Sequence, residues 1–208
     1  MTQILSVPIV AQADPRWKDA RLGLSQSSIG GYGCAIACIA MLGAYVQQQP
    51  PIPLHELNGR LKDIGGYHSS NLLRWIAAGQ IYPRLQYVSR IDIGARPARV
   101  HELNEIVMRV SLGLPVIIYV DSSNIQPGLQ QHFVIVTGVD QERQQFTIQD
   151  PWFGDSTYLC PRYGKTVAEA VWGIILFDTI HDPDATPVLR PTGAKVVSRQ
   201  MPHRWEAG

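Results

Sequence analysis

Residues 34–46 are apolar without interruption, and Ala35, Ile36, Ile39, Ala40, Met41 and Leu42 fall on every side of a helical wheel. A helix with no polar face belongs inside a domain. The run is 13 residues long, short of the roughly 20 that a membrane-spanning helix requires. Gly30, Gly31 and Gly33 precede it and give the backbone freedom, so the helix is expected to begin near Cys34. The polar, proline-rich stretch 47–53 ends it. Amphipathic helices are predicted over 55–64 and 71–78, the second with Ser69 and Ser70 as N-caps. A further one is predicted over 100–110, where Val100, Leu103, Ile106, Val107 and Val110 recur at helical spacing.

After Gly113 the period changes. Residues 115–120, 133–137, 146–149 and 172–177 are short runs rich in β-branched and aromatic side chains, separated by turn-forming segments, and read as strands. Helices first and sheet second predict an α+β fold. Residues 7–26 mix Pro, Asp, Arg and Gly with isolated apolar positions and read as an extended or looping lead-in. No internal repeat is visible. From Asp178 on, Pro183, Pro187, Pro191 and Pro202 punctuate a stretch without periodicity. One domain is therefore expected over 1–178, followed over 179–208 by a proline-rich C-terminal arm or tail that could serve a protein partner.

Composition narrows the functional classes. The 208 residues are 45% hydrophobic, enough for a sizeable core. The net charge is +1 with 17% charged residues, against an average of roughly 25%, so no electrostatic footprint for nucleic acid or anionic lipid is present. Three cysteines cannot all pair, which leaves a free thiol and no disulfide scaffold. The first ten residues lack a basic segment, an apolar segment and a cleavage site in sequence. The expectation is a chain cytoplasmic at synthesis, with virion association or a non-Sec route needed for action outside the cell.

The candidate chemistry starts at Cys34. A helix N-terminus stabilises a thiolate through unpaired amides and the positive end of its dipole. The glycines before Cys34 would let a substrate carbonyl approach closely, and the Cys34 amide could donate to an oxyanion. The plain alternative is a small core residue. The second element is a predicted hairpin of 133–137 with 146–149 about a midpoint near Gln141. Such a hairpin sets His132 directly opposite Asp150, close enough for the carboxylate to hold the imidazole. A slip of one residue would put them on opposite faces. Pro151 ends the ladder, and Trp152 either covers the pair from water or packs in the core.

Four motifs in order, Gln12-Ala-Asp-Pro-Arg-Trp17, Ile29-Gly-Gly-Tyr-Gly-Cys34, His132-Phe-Val-Ile-Val-Thr-Gly138 and Asp150-Pro-Trp-Phe-Gly154, resemble those of bacterial and phage cysteine peptidases related to bacteriocin-processing peptidases, family thirty-nine of the cysteine peptidases in its "-like" branch. The resemblance spans about residues 7–177. It implies a papain-like fold, a helix carrying the cysteine packed on an antiparallel sheet carrying the histidine, with Asp150 as the third member. Papain-like enzymes also use a glutamine before the cysteine as an oxyanion donor. The position six residues before Cys34 holds Ser28, so the resemblance assigns the donor to Gln12, with Gln26 the weaker alternative.

Other signals are weaker. Cys34, Cys38 and His132 lack a fourth partner at a zinc-site spacing. Cys160 reads as structural, and the glycines near Tyr32 lack the Lys and Ser or Thr of a phosphate loop. His55, His68, His101, His181 and His203 read as solvated, Asp14 as a turn residue, and Asp140 as suited to the hairpin turn. The reading is a thiol protease, a hydrolase with a Cys34-His132-Asp150 catalytic triad, Gln12 at the oxyanion, and no cofactor or metal required. Its substrate would be a peptide or protein, peptidoglycan stem peptides included. The competing reading is a non-catalytic interaction module on the same scaffold in a phage or secretion assembly.

Overall fold

The computed structural model describes residues 2–123 and 128–180. Beyond a short first strand, β1 (Thr2–Ile4), the chain runs through turns to a four-residue helix, α1 (Ile29–Tyr32), and then directly into α2 (Cys34–Gln47). Gly33 is the joint. A Cβ there would lie 2.5 Å from the Ile29 carbonyl oxygen, so only glycine lets the two helices abut and the second begin at Cys34. As its uniform apolarity requires, α2 is buried on every side, with only Ala35, Tyr45 and Gln47 partly reached by solvent. It packs on the sheet through β6 and on α3 (Leu54–Asp63).

The stretch 71–78 corrects the sequence expectation. Ser69 takes a left-handed backbone, φ 49°, and turns the chain between β2 (Tyr67–His68) and β3 (Leu72–Leu73) instead of capping a helix. A single 3-10 turn, Trp75–Ala77, and the short α4 (Ala78–Ile81) follow. Next comes β4 (Leu85–Asp92), not anticipated because its alternation of Arg, Ser and Gln with apolar residues lacks a β-branched run. The remaining elements are α5 (Val100–Ser111), β5 (Val116–Asp121), β6 (Gln131–Asp140), β7 (Gln145–Asp150), β8 (Asp155–Tyr158), α6 (Val167–Ala170) and β9 (Gly173–Thr179). β1, β8 and α6 were likewise unanticipated.

Apart from the β2–β3 pair, the strands form one antiparallel sheet in the order β4-β9-β5-β6-β7-β8, and β1 pairs with the far end of β6 beyond the reach of β5. Helices cover both faces. Phe133 and Ile135 of β6 point into the cluster with α2, while Val134 and Val136 point into the cluster with α5. The α+β class is as expected. β9 extends through Thr179, and Ile180 donates its amide to the Arg84 carbonyl. The arm expected beyond it lies, from residue 181 on, outside the described residues, as do His181 and His203. No helix among the described residues is long and apolar enough to cross a membrane.

Candidate active site

The histidine and aspartate meet, though not by the register expected. Near the turn the β6–β7 hairpin pairs Asp140 with Gln145 and Gly138 with Thr147. Carried to its end, that register would place Asp150 opposite Ile135 and put His132, three residues on, across the sheet. A bulge between Val136 and Gly138 changes the parity. Beyond it Ile135 pairs with Gln149, so the next position opposite Asp150 is Val134. His132 is then two residues from the directly opposed position and on the same face as Asp150, the diagonal relation a long side chain can bridge. His132 Nε2 lies 2.9 Å from Asp150 Oδ1. The bulge is fixed from outside the hairpin: the Thr137 carbonyl accepts the Leu5 amide at 2.7 Å.

Asp150 is 0% exposed and fully engaged. Its Oδ1 also accepts the Trp152 amide at 3.0 Å, and its Oδ2 accepts Arg162 Nη1 at 3.0 Å and the Tyr163 hydroxyl. Burial alone would raise its pKa, but His132, Tyr163 and Arg162 outweigh burial and hold the carboxyl below the ordinary range. Arg162 is itself anchored by Asp155 through two contacts of 2.8 Å and lies over the Phe153 ring at 4.3 Å. Arg162 and Tyr163 escaped the sequence reading because they sit in a loop with no periodicity and gain meaning only from proximity to Asp150.

His132 is buried, which disfavours its charged form, yet the hydrogen bonds and charges of Asp150 and Cys34 prevail and push its pKa up to about 9. With Nε2 occupied by Asp150, Nδ1 is the nitrogen left for the sulfur. Cys34 is the first residue of α2, where the amides have no acceptor within the helix. It is 8% exposed. Cys34, His132, Gln12, Trp75 and Trp152 line one cleft of about 580 Å³. A larger groove of about 1030 Å³, beside Pro8, Arg84 and Leu114, contains none of these groups.

Gln12 joins them and Gln26 does not: Gln26 is exposed and does not line the cleft. Gln12 is buried, with its amide nitrogen donating to the Pro151 carbonyl at 2.8 Å and Nε2 donating to the Gly30 carbonyl at 2.9 Å. It therefore ties the segment before Cys34 to the segment after Asp150. Its Oε1 is buried without a partner among the described residues. Ser28 caps α1 by accepting the Gly31 amide. Trp152 is 52% exposed and its ring stands nearly perpendicular to that of His132 with 6.2 Å between centroids, so it borders the imidazole at the cleft rather than packing in the core.

The remaining thiols stand apart. Cys38 is one helical turn deeper in the core, where burial pushes its pKa well up, and Cys160 is buried beside α6. Among the described residues no group of three or more His, Cys, Asp or Glu side chains is placed to hold a metal ion. His55 stacks on Trp17, and His68 is exposed at the rim of the cleft.

A family model described as the Peptidase_C39 like family matches residues 4–177. No curated protein matches the chain.

Proposed function

The chain belongs to the Peptidase_C39 like family, and on that premise we propose that it is a cysteine peptidase whose nucleophile, base and orienting carboxylate are Cys34, His132 and Asp150. The observation that carries the reading is the 2.9 Å contact between His132 Nε2 and a carboxylate with no solvent access. It fixes the imidazole so that Nδ1 faces a cleft shared with a cysteine at a helix N-terminus. A nucleophile helix packed on the antiparallel sheet that supplies the histidine supports a papain-like arrangement.

The Cys34 sulfur, its proton held on His132 Nδ1, attacks the scissile carbonyl carbon to form a C–S bond. The oxyanion accepts hydrogen bonds from the Cys34 amide and from the second Nε2 hydrogen of Gln12. The imidazolium then protonates the leaving nitrogen, the C–N bond breaks, and a thioester remains. A water molecule gives its proton to Nδ1 as it attacks the thioester, the C–S bond breaks, and the acid product leaves. Asp150 keeps its charge throughout, holding the tautomer and stabilising the imidazolium.

The substrate class is a peptide, peptidoglycan stem peptides included. Incubation of a randomised peptide pool with wild-type and Cys34→Ala protein, read by mass spectrometry, tests the assignment. Cleavage should vanish in the variant, and equal hydrolysis by both would overturn it.

A further inference from the structure

Arg90 of β4 lines the same cleft as Cys34 and His132. No Asp or Glu does among the described residues, and no Lys or other Arg. The guanidinium is held in place. Its Nε donates to Asp92 Oδ1 at 2.6 Å, its plane lies over the Tyr119 ring at 5.0 Å, and the Tyr119 hydroxyl holds the same carboxylate oxygen at 2.6 Å. Gly173 makes that stack feasible: it is paired with both Tyr119 and Asp92, and a Cβ there would fall 2.0 Å from the Tyr119 ring. Asp92 takes Nε and the Tyr119 hydroxyl also bonds to the guanidinium, which leaves the remaining N–H groups of the fork, on a side chain that lines the cleft, to meet a carboxylate.

The position of the fork sets what it can read. From the guanidinium the ring of Tyr119 leads to that of Phe133, 5.9 Å on, and Phe133 adjoins His132 in the chain. An extended peptide advances about 3.3 Å per residue. We infer that Arg90 is a specificity determinant, binding a substrate carboxylate a few residues from the scissile bond, supplied either by an acidic side chain or by the peptide's own terminus. This inference rests on the peptidase reading for what it calls the scissile bond, but the binding itself does not need turnover.

Two randomised peptide pools, one with free and one with amidated C-termini, are offered to Cys34→Ala protein, and the bound peptides are sequenced by mass spectrometry. Asp and Glu should be enriched at one position by about tenfold, about 1.4 kcal/mol. Enrichment in both pools identifies a side chain, and enrichment confined to the free-carboxyl pool identifies the terminus. Adding Arg90→Met should abolish the preference, Arg90→Lys should retain part of it, and Arg90→Glu should turn it toward Lys and Arg, with thermal unfolding showing that each variant folds. No binding, no acidic preference, or a preference that survives Arg90→Met overturns the inference. Wild-type protein on the same pools separates the two ideas: acidic enrichment without cleavage removes the peptidase and keeps the Arg90 site, and cleavage without acidic enrichment does the reverse.

Discussion

Replacing Asp150 by Asn changes one atom and reverses the hydrogen-bond logic around it. Arg162 and the Tyr163 hydroxyl donate toward one oxygen, so the amide oxygen must stay on their side and the new NH2 group faces His132 Nε2 and the Trp152 amide. His132 must then accept at Nε2 and carry its proton on Nδ1, so that a neutral ring presents a hydrogen to the sulfur instead of a base. The structure also bounds the electrostatic part. His132 rises from 6.5 to about 9 against the effect of burial, which corresponds to roughly 3 kcal/mol in favour of the imidazolium. Asp150 and Cys34 share that stabilisation, so loss of the carboxylate should remove about half of it or more, on the order of 1.5–3 kcal/mol. At neutral pH kcat/KM should fall by roughly 10- to 100-fold. The sign of the pH effect follows: the imidazolium exists below its pKa, so wild-type activity should decline as pH rises through about 9, and in Asp150→Asn that limb should move to lower pH. Arg162 keeps both contacts with Asp155, so the variant retains a partner for its cation. The assay is kcat/KM against pH with a peptide found by the pool experiment, with urea unfolding as the control for folding. A folded variant whose rate stays within about threefold of wild type, with the alkaline limb unmoved, would mean that Asp150 does not set the charge and tautomer of His132.

Gln12→Ala should lower kcat by roughly 100-fold with little change in KM, since an oxyanion donor acts on the transition state; steady-state kinetics on the same peptide decides it. Tyr163→Phe removes one of the four donors to Asp150 and should lower kcat by roughly fivefold and stability by about 1 kcal/mol while leaving KM in place, with denaturant melts and kinetics reading the two effects. Gly43→Ala sets two effects against each other. Alanine is the better helix former by about 1 kcal/mol, but its Cβ would lie 2.5 Å from the Tyr82 ring. Overpacking of about 1–3 kcal/mol should win, and the urea midpoint should fall.

What could be read from the chain alone divides along physical lines. The helix that begins at Cys34 was legible because it is apolar all round and starts at glycines, and both features are local. The β6–β7 hairpin was legible as a pair of strands, but its bulge was not. The bulge is fixed by the Leu5 amide, 132 positions earlier in the chain than the Thr137 carbonyl it meets. The pairing of His132 with Asp150 was thus anticipated through a register that differs by two residues from the one observed. The amphipathic look of 71–78 misled because it carries no information about Ser69 turning with positive φ and pairing β2 with β3. β4 was hidden by polar alternation on an edge strand, and with it the position of Arg90. Arg162 and Tyr163 carry no motif, and only the folded loop brings them to Asp150.

Peptide cleavage by Cys34 requires His132 to act with it as one unit, and selective alkylation reads that coupling. Wild-type protein treated with limiting iodoacetamide at neutral pH should be modified at Cys34 far faster than at the buried Cys38 or Cys160, and His132→Ala should slow labelling at Cys34 while leaving the other two thiols unchanged. Equal labelling of the three thiols in folded wild-type protein, or Cys34 labelling unaffected by His132→Ala, would contradict it.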